Sequence, residues 1–333
     1  MTPETHYLKR MHREGALHGP IADFDALWAR LTDWVRFRDL GIDADACRAR
    51  IEAGGEKDAR AIFAAMLQAY GERVGKPRVG EKTPGHSHYL DLLFTWFPDA
   101  RVIAIQRDPR AVIASQSQTP WVKEKLTPRG LKGGFFTGKR AGEIAFYASN
   151  WAEVYSRVLP RWAGDPRVRV VSYERLVSSP EEEMRAICAF LGEEFEPAML
   201  GDRQAAGVPG SASTLRDAAF EDWRREHEAR SGRPISEASL ERWRSRLTRG
   251  EIALIEARCG KGMAAAGYAP DLGPASHAVA SGVAAVHGAL AAGERQLREA
   301  ARTIRAQLRQ GEGQSARITP SVQKTAPSGQ FRT

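Results

Sequence analysis

Two short apolar runs, each followed at once by the start of a helix, constrain the fold of this chain more than any other feature. Residues 101–106 (Arg-Val-Ile-Ala-Ile-Gln) and 168–172 (Val-Arg-Val-Val-Ser) are rich in β-branched side chains. After the first run, Asp108 can cap a helix and Pro109 can occupy its first position. Strands that alternate with helices are typical of α/β proteins. We therefore predict an α/β fold with a parallel central sheet flanked by helices, in which strand 101–106 is buried.

Weaker patterns predict the other elements. A short strand is expected at 78–82, and Thr248 and Glu251 form the capping box of a late helix. Apolar residues at helical spacing predict helices within 59–70, 84–97, 144–162, 180–191 and 240–247. Residues 119–140 and 193–235 lack periodicity, and the first of these segments is expected to be a mobile loop that acts as a substrate lid. We predict an α/β domain at 1–272, followed at 273–333 by an Ala- and Arg-rich helical extension and a disordered tail.

The charge of the chain does not indicate a nucleic-acid-binding protein. The formal net charge is +8, but residues 276–333 hold eight Arg and Lys against three Glu. The rest of the chain is only mildly basic, which suits an anionic small molecule, so no nucleic-acid partner is expected. In the extension, a basic helical face is either solvated or in contact with a membrane surface; it consists of Arg295, Arg298, Arg302, Arg305 and Arg309.

The cysteines and histidines argue against a disulfide framework and against a metal site. Cys47, Cys188 and Cys259 are far apart in the sequence. His86 and His88 are two positions apart and would point to different sides of a helix, so we expect substrate contact or plain surface rather than a zinc pair. No run of ~20 apolar residues and no signal peptide is visible, and we expect a cytoplasmic protein.

Arg107 and Ser115 stand where a parallel sheet binds anions. Arg107 follows the predicted strand, and Ser115 lies about two helical turns after the cap, so both can face one crevice. A guanidinium and a hydroxyl can bind a phosphate together, although a capped turn with solvated charges explains the pattern equally well. Lys82, at the end of strand 78–82, would emerge at the same edge of the sheet. There its ammonium group could stabilise charge on a transferring group. Taken by itself, however, Lys82 is better explained as an exposed lysine before a helix. The pattern favours a nucleotide-dependent group transferase.

Taken together, these motifs resemble the sulfotransferase family. The resemblance covers about residues 3–270 and is carried by 79–84 (Val-Gly-Glu-Lys-Thr-Pro), 88–93, 97–115, 170–176, 235–243 and Gly267-Tyr268. Members of this family move a sulfuryl group from 3′-phosphoadenosine 5′-phosphosulfate (PAPS) to a hydroxyl or amine, on a P-loop nucleotide-hydrolase-like fold. The resemblance implies a bacterial-type, PAPS-dependent enzyme related to tyrosylprotein sulfotransferase-like members. Its acceptor would be a small molecule, a glycan, a lipid or a peptide, and no metal would be needed.

The resemblance also implies roles for seven residues. Two would be catalytic: Lys82 near the transferring sulfuryl group, and Glu4 as the general base. Glu4 is equally well explained as a frayed N-terminal residue. Five would bind the donor nucleotide, with the first two at its 3′-phosphate: Arg107, Ser115, Arg110, Tyr173 and Ser236.

One family motif has no counterpart in the sequence. Family members carry, before the position of Glu4, a strand and a Gly-rich loop of Arg-Ser-Gly-Thr-Thr type that cradles the 5′-phosphosulfate. Residues 133–139 (Gly-Gly-Phe-Phe-Thr-Gly-Lys) imitate a Walker A loop, but Arg140 replaces the required Ser or Thr. We expect the first strand and the P-loop to be absent from this chain, through a start codon assigned too far downstream, a fragment, or a true loss.

Two other functions stay open on the sequence alone. One is a catalytically inactive nucleotide-binding or scaffold protein of the same fold, with the basic tail as its interaction element. The other is a kinase-like P-loop transferase, which accounts less well for Arg107 and Ser115. Acceptor specificity is expected in variable loops such as 5–40 and 119–140.

Overall fold

The structure, a computed structural model, describes residues 1–117, 119, 139–200, 240–273, 275 and 278. Most of the predicted loop 119–140, most of 193–235 and nearly all of the tail 273–333 lie outside these residues. The predictions made for those segments therefore remain predictions.

The described strands form a parallel pair. Strand β1 (Val102–Gln106) pairs with strand β2 (Val168–Ser172), and the register runs from Val102 opposite Val168 to Gln106 opposite Ser172. Valine and isoleucine suit a pleated backbone, which is why these two runs form strands. The parallel arrangement confirms the predicted α/β fold class, and it brings the carboxyl ends of both strands to one edge.

Strand β1 is less buried than predicted. The side chain of Ile105 is 53% exposed, and Val170 in the neighbouring strand is 47% exposed, whereas Val171 is fully buried. A parallel sheet is buried only where other elements cover both of its faces. Among the described residues that cover is incomplete at Ile105 and Val170.

The predicted strand at 78–82 is not part of this sheet. These residues are irregular in conformation and lie beside the N-terminal residues, where Thr2 N donates to Gly80 O at 2.9 Å. A strand needs a ladder of such backbone bonds, and in this segment side-chain hydrogen bonds take the place of the ladder. The prediction was wrong because five residues of local sequence do not reveal whether a pairing strand exists.

Helices make up most of the rest of the described chain. Before β1 they are α1 (Tyr7–Arg13), α2 (Phe24–Thr32), α3 (Val35–Arg38), α4 (Ala44–Gly54), α5 (Ala59–Arg73), a 3-10 helix (Pro84–Tyr89) and α6 (Leu90–Trp96). After β1 come α7 (Pro109–Gln116), α8 (Lys139–Glu153), a π-helix (Val154–Val158) and a 3-10 helix (Leu159–Trp162). After β2 come α9 (Tyr173–Ser178), α10 (Pro180–Leu191), 3-10 helices at Pro197–Leu200 and Arg242–Ser245, and α11 (Arg249–Ala265). No helix among the described residues has both the length and the apolar character that crossing a membrane requires.

Residues 5–40, expected to be a variable loop, are mostly helical. The carboxylate of Asp23 caps α2 by accepting from Ala26 N at 3.0 Å. Leu27 and Leu31 on that helix are buried in the N-terminal core. A side-chain cap and a buried apolar face together make a helix stable, which explains why the loop interpretation was wrong here.

Several predicted helix ends are confirmed by their capping bonds. Asp108 accepts from Arg110 N at 2.8 Å, and Pro109 opens α7. Gly192, in the left-handed conformation at φ 73°, ends α10. Thr248 and Glu251 form the predicted capping box of α11. In contrast, the helix predicted at 240–247 is reduced to the single 3-10 turn Arg242–Ser245.

The core consists of two clusters of buried apolar side chains. The N-terminal core surrounds α1, α2 and α5, and the C-terminal core joins α7, α8 and α11. The predicted core-facing stripe on 144–162 is confirmed at Ile144, Ala148, Trp151 and Leu159, all of which are buried. The 3-10 helix Pro84–Tyr89 packs against the π-helix Val154–Val158 and so connects the two halves.

Candidate active site

Glu4 and Lys82 form an ion pair at the surface of the N-terminal half. The Lys82 Nζ donates to Glu4 Oε1 across 78 sequence positions. On the other side of the carboxylate, His6 Nε2 lies 3.4 Å from Glu4 Oε2. The Lys82 side chain is 55% exposed and that of Glu4 34% exposed, so both are accessible to a ligand. The two residues with implied catalytic roles are therefore neighbours.

The ion pair changes the acidity of Glu4. Burial by itself raises the pKa of Glu4, but hydrogen bonds with His6 and Lys82 and the charges of those groups outweigh it and lower the pKa to about 2. A carboxylate with so low a pKa is a weak proton acceptor near neutral pH. Glu4 would become a better base if the Lys82 ammonium moved away from it.

A buried carboxylate, Glu81, lies beside this pair. Its Oε1 accepts from Thr5 Oγ1 at 2.8 Å and from Thr83 Oγ1 at 2.5 Å. Its Oε2 lies 2.8 Å from His86 Nδ1. A role for Glu81 was not predicted, because a glutamate next to a lysine before a turn has the pattern of a solvated side chain.

The two histidines of the 3-10 helix have different environments. His86 is buried and contacts Glu81, so the expectation of a surface or substrate-contacting side chain was wrong for this residue. His88 is exposed. In the described residues, no group of three His, Cys, Asp or Glu side chains is placed to hold a metal ion.

Arg107 and Tyr173 meet at the carboxyl end of the sheet. They follow Gln106 and Ser172, which the register sets opposite each other. The guanidinium carbon of Arg107 lies 4.1 Å from the centre of the Tyr173 ring, within the range of a cation–π contact. Two residues expected to bind the donor nucleotide are thus brought together at the edge where anion binding was predicted.

Two aromatic side chains hold the end of β1 in place. Trp151 Nε1 donates to Arg107 O at 3.1 Å, and the Tyr155 hydroxyl donates to Ile105 O at 2.7 Å. The two rings stack with their centres 4.4 Å apart. Tyr155 lies in the π-helix, a local widening that is frequent at functional sites. The same π-helix packs against the 3-10 helix that follows Lys82, so elements from the two parts of the candidate site are in contact.

Glu174 fixes the turn between β1 and α7. Its Oε1 accepts from Asp108 N at 3.0 Å, and its Oε2 accepts from the Tyr268 hydroxyl at 2.8 Å and from Ser172 Oγ at 3.0 Å. Burial and the hydrogen bond to Glu174 raise the pKa of Tyr268 far above its usual value, so its hydroxyl stays a donor. Glu174 and Tyr268 belong to segments that carry the family resemblance, but their joint role was not predicted, because they are distant in sequence.

Arg110 is buried and paired within the protein. It is 6% exposed and forms ion pairs of 2.7 Å with both Asp108 and Glu256. Its guanidinium carbon also lies 4.5 Å from the centre of the Trp243 ring. These contacts engage Nε, Nη1 and Nη2 within the protein, and they tie α7 to α11. We therefore do not carry the expectation of donor binding by Arg110 into the proposed site.

Of the two serines expected to bind the donor, only Ser115 lies among the described residues. Ser115 is exposed on the last turn of α7, next to the buried residues Ile113 and Ala114. Its hydroxyl is accessible, and its contact with a phosphate remains a prediction. Ser236 lies outside the described residues.

Comparisons with known proteins agree with the resemblance. A family model described as "Sulfotransferase family" matches residues 8–197. The nodulation protein NoeE of Sinorhizobium fredii (strain NBRC 101917 / NGR234) is 30% identical over 200 residues, which are 58% of this chain and 45% of that protein. A putative protein-tyrosine sulfotransferase of Caenorhabditis briggsae is 25% identical over 178 residues, which are 53% of this chain and 55% of that protein. The chain thus spans about half the length of these relatives.

Two solved sulfotransferase domains are structurally similar to this chain. One comes from the curacin biosynthetic pathway and aligns with 80% of this chain and 88% of its own, at 19% identity and a TM-score of 0.49. The other comes from the Synechococcus PCC 7002 olefin synthase and aligns with 81% of this chain and 85% of its own, at 21% identity and a TM-score of 0.48. The family model matches more than half of the sequence, and the chain belongs to the sulfotransferase family.

Proposed function

We propose that this chain is a sulfotransferase that takes the sulfuryl group of PAPS and transfers it to a hydroxyl or amine of an acceptor. The observation that carries the proposal is the contact between Glu4 and Lys82. A sulfuryl transfer needs a base for the acceptor proton and a cation for the leaving group. The two side chains supply one of each at an accessible position.

Arg107 and Ser115 are the residues that we propose for the 3′-phosphate of the donor. Arg107 follows β1, its ring neighbour Tyr173 restrains its guanidinium, and its carbonyl is held by Trp151. Ser115 follows on the exposed last turn of α7. A guanidinium is well suited to bind phosphate oxygens in pairs.

Glu4 and Lys82 have complementary tasks in the proposed transfer. Glu4 accepts the proton that the acceptor hydroxyl or amine loses as its new bond to sulfur forms. Lys82 donates hydrogen bonds to the oxygen that leaves sulfur and neutralises the charge that develops there. PAPS supplies the activated sulfuryl group, and 3′,5′-ADP leaves with the electron pair of the broken S–O bond.

The ion pair couples these two tasks. While His6 and Lys82 both contact Glu4, the pKa of Glu4 is about 2 and its basicity is low. We infer that Lys82 leaves Glu4 for the more highly charged donor, and that the pKa of Glu4 then rises towards its usual value of about 4.3. On this account the base becomes effective only after the donor has bound.

The donor site is tested by titrating the protein with 3′,5′-ADP and with 5′-AMP, which lacks the 3′-phosphate. We expect the wild-type protein to prefer 3′,5′-ADP by more than tenfold, equivalent to a charge-assisted contact of about 1.5–3 kcal/mol. Arg107→Ala should reduce the preference about tenfold or more, since the two ligands differ only in the phosphate that Arg107 binds together with Ser115. The control is Arg161→Ala, which removes an exposed arginine paired with Asp91. An undiminished preference in Arg107→Ala would overturn the assignment.

A further inference from the structure

We propose that Glu81 is a positioning residue of the active site, whose buried carboxylate holds Glu4 opposite Lys82. The inference rests on the proposed function, because it assigns a purpose to that geometry. Glu81 touches neither the acceptor nor the sulfuryl group in this account. It acts through the two residues that do.

The ion pair does not fix its own geometry. The Lys82 side chain is 55% exposed and that of Glu4 34% exposed, so water reaches both, and two flexible side chains must be ordered to keep one arrangement. A catalytic arrangement therefore needs support from buried contacts.

Glu81 supplies that support from both sides. Its Oε1 accepts from Thr5, the residue after Glu4, through the backbone N at 3.3 Å and the hydroxyl at 2.8 Å. The same oxygen accepts from the hydroxyl of Thr83, the residue after Lys82, at 2.5 Å. One carboxylate thus joins the immediate neighbours of both catalytic side chains, and Glu81 is itself the residue before Lys82.

Burial gives these bonds their strength. The Glu81 side chain is 10% exposed, and Thr5, Thr83 and His86 are buried. His86 Nδ1, 2.8 Å from Oε2, fixes the second carboxylate oxygen. Burial raises the pKa of Glu81, but hydrogen bonds from His86, Thr83 and Thr5 outweigh it and lower the pKa, so the acceptor stays ionised. Hydrogen bonds to a buried, ionised acceptor are stronger than neutral bonds or bonds in water.

Other contacts of the N-terminal segment do not replace this support. Thr2 is bonded to Gly80, and Tyr7 is anchored by its hydroxyl to Ala59 O at 2.8 Å. Between these two anchors, three sets of described hydrogen bonds join residues 4–6 to residues 80–86. Two of them are the Lys82–Glu4 pair itself and the bonds of Thr5 to Glu81. The third is the bond from His6 N to Thr83 Oγ1 at 3.2 Å. Because Thr83 Oγ1 also donates to Glu81, the His6 bond depends on the same carboxylate.

The test compares Glu81→Gln with Glu183→Gln in the full chain. Glu183 is another buried carboxylate, 8% exposed and 2.8 Å from Arg175 Nε, but it contacts neither Thr5 nor Thr83. Two quantities are measured: the titration of the Glu4 carboxyl by NMR, and kcat and KM for PAPS. We expect Glu81→Gln to lower kcat about a hundredfold, the effect of misplacing a catalytic group by ~1 Å. The KM for PAPS should change much less than kcat, since Arg107 does not depend on Glu81.

The NMR titration separates this inference from the proposed function. In Glu81→Gln the midpoint of Glu4 should rise from about 2 towards about 4.3, because the pair with Lys82 loosens. Glu183→Gln should leave it unchanged. An unshifted Glu4 midpoint in Glu81→Gln, or an equal loss of kcat in Glu183→Gln, would overturn the role of Glu81. If the wild-type chain transfers no sulfuryl group, the proposed function fails, and the titration still decides on Glu81.

A second pair of variants covers the case in which Glu81→Gln does not fold. Thr5→Val keeps the shape of the side chain but removes the hydroxyl that donates to Glu81, whereas Thr5→Ser keeps that hydroxyl. We expect Thr5→Val to raise the Glu4 midpoint and to lower kcat, and Thr5→Ser to restore both. Identical behaviour of the two variants would contradict the proposal.

Discussion

The ammonium group of Lys82 donates a hydrogen bond to the carboxylate of Glu4, although the two residues are 78 positions apart. Lys82 belongs to the segment before the 3-10 helix Pro84–Tyr89, and Glu4 to the segment before α1. A cation and a base that meet in this way suit the transfer of a charged group between two bound molecules. The consequences for pH, donor binding and stability can each be measured.

Removal of Lys82 should move the pH dependence of catalysis. The pKa of Glu4 is about 2 because Lys82 and His6 outweigh the effect of burial. In Lys82→Met the pKa of Glu4 should therefore rise, and the acid limb of kcat/KM should shift to higher pH. Lys76→Met, which removes another exposed lysine, is the control and should leave the profile in place. An unmoved acid limb in Lys82→Met would show that Lys82 does not set the acidity of the base.

The same pair predicts how stability depends on pH. The pKa of Glu4 is lower in the folded chain than the usual value of about 4.3 expected when unfolded. Its contribution to stability is thus present above about pH 4.3 and is lost as the pH falls towards 2. The free energies of unfolding of wild type and Glu4→Gln, measured with urea, should differ most above about pH 4.3. They should converge as the pH approaches about 2. A constant difference across the window would contradict the assigned pKa.

Arg110 should affect stability without affecting the donor. Its side chain is buried between Asp108 and Glu256, and removing one member of a buried ion pair costs about 3–5 kcal/mol. Arg110→Ala should lose about this much in the free energy of unfolding measured with urea. Below its unfolding transition, it should still prefer 3′,5′-ADP over 5′-AMP as the wild type does. Loss of that preference would return Arg110 to the donor site.

Gly262 and Gly260 offer a matched pair on α11. A Cβ at Gly262 would lie 2.8 Å from Trp151 Cζ3 and 2.8 Å from Ser156 Oγ, whereas a Cβ at Gly260 would meet nothing within 4 Å. Gly262→Ala should therefore destabilise the protein by about 1–3 kcal/mol through overpacking. Gly260→Ala should stabilise it by about 0.5–1 kcal/mol, because alanine is the better helix former. Thermal unfolding measures both changes.

The Gly262 variant also tests whether Trp151 positions Arg107. Trp151 Nε1 holds Arg107 O, so a displaced indole should weaken binding of 3′,5′-ADP as well as stability. Gly260→Ala should bind as the wild type does. Unchanged affinity in a destabilised Gly262→Ala would mean that the indole bond does not position the arginine.

Local signals explain what could be predicted from the sequence. The strand at 168–172 and the caps Asp108, Gly192 and Thr248 follow from β-branched side chains and from capping chemistry, which depend on a few neighbouring residues. The contact of Arg107 with Tyr173 could be expected as well, since parallel strands end at one edge.

The environments that the sequence did not indicate depend on partners that are distant in the chain. Arg110 looks like a solvated arginine until Glu256, 146 positions away, is placed beside it. Glu81 and His86 likewise look exposed until the bonds with Thr5 and with each other bury them. A charged side chain is buried only where another element supplies its counter-charge, and no periodicity in the sequence encodes that.

The proposed sulfuryl transfer is tested most directly by the turnover of PAPS by the full chain, measured with hydroxyl and amine acceptors for wild type and Glu4→Gln. Release of 3′,5′-ADP together with a sulfated acceptor is the expected result for the wild type. Glu4→Gln should be slower by about 10²–10⁴-fold, the contribution of a positioned general base. Binding of the donor without turnover in the wild type would contradict the account and favour an inactive nucleotide-binding protein. Equal turnover in Glu4→Gln would contradict the role of Glu4 as the base.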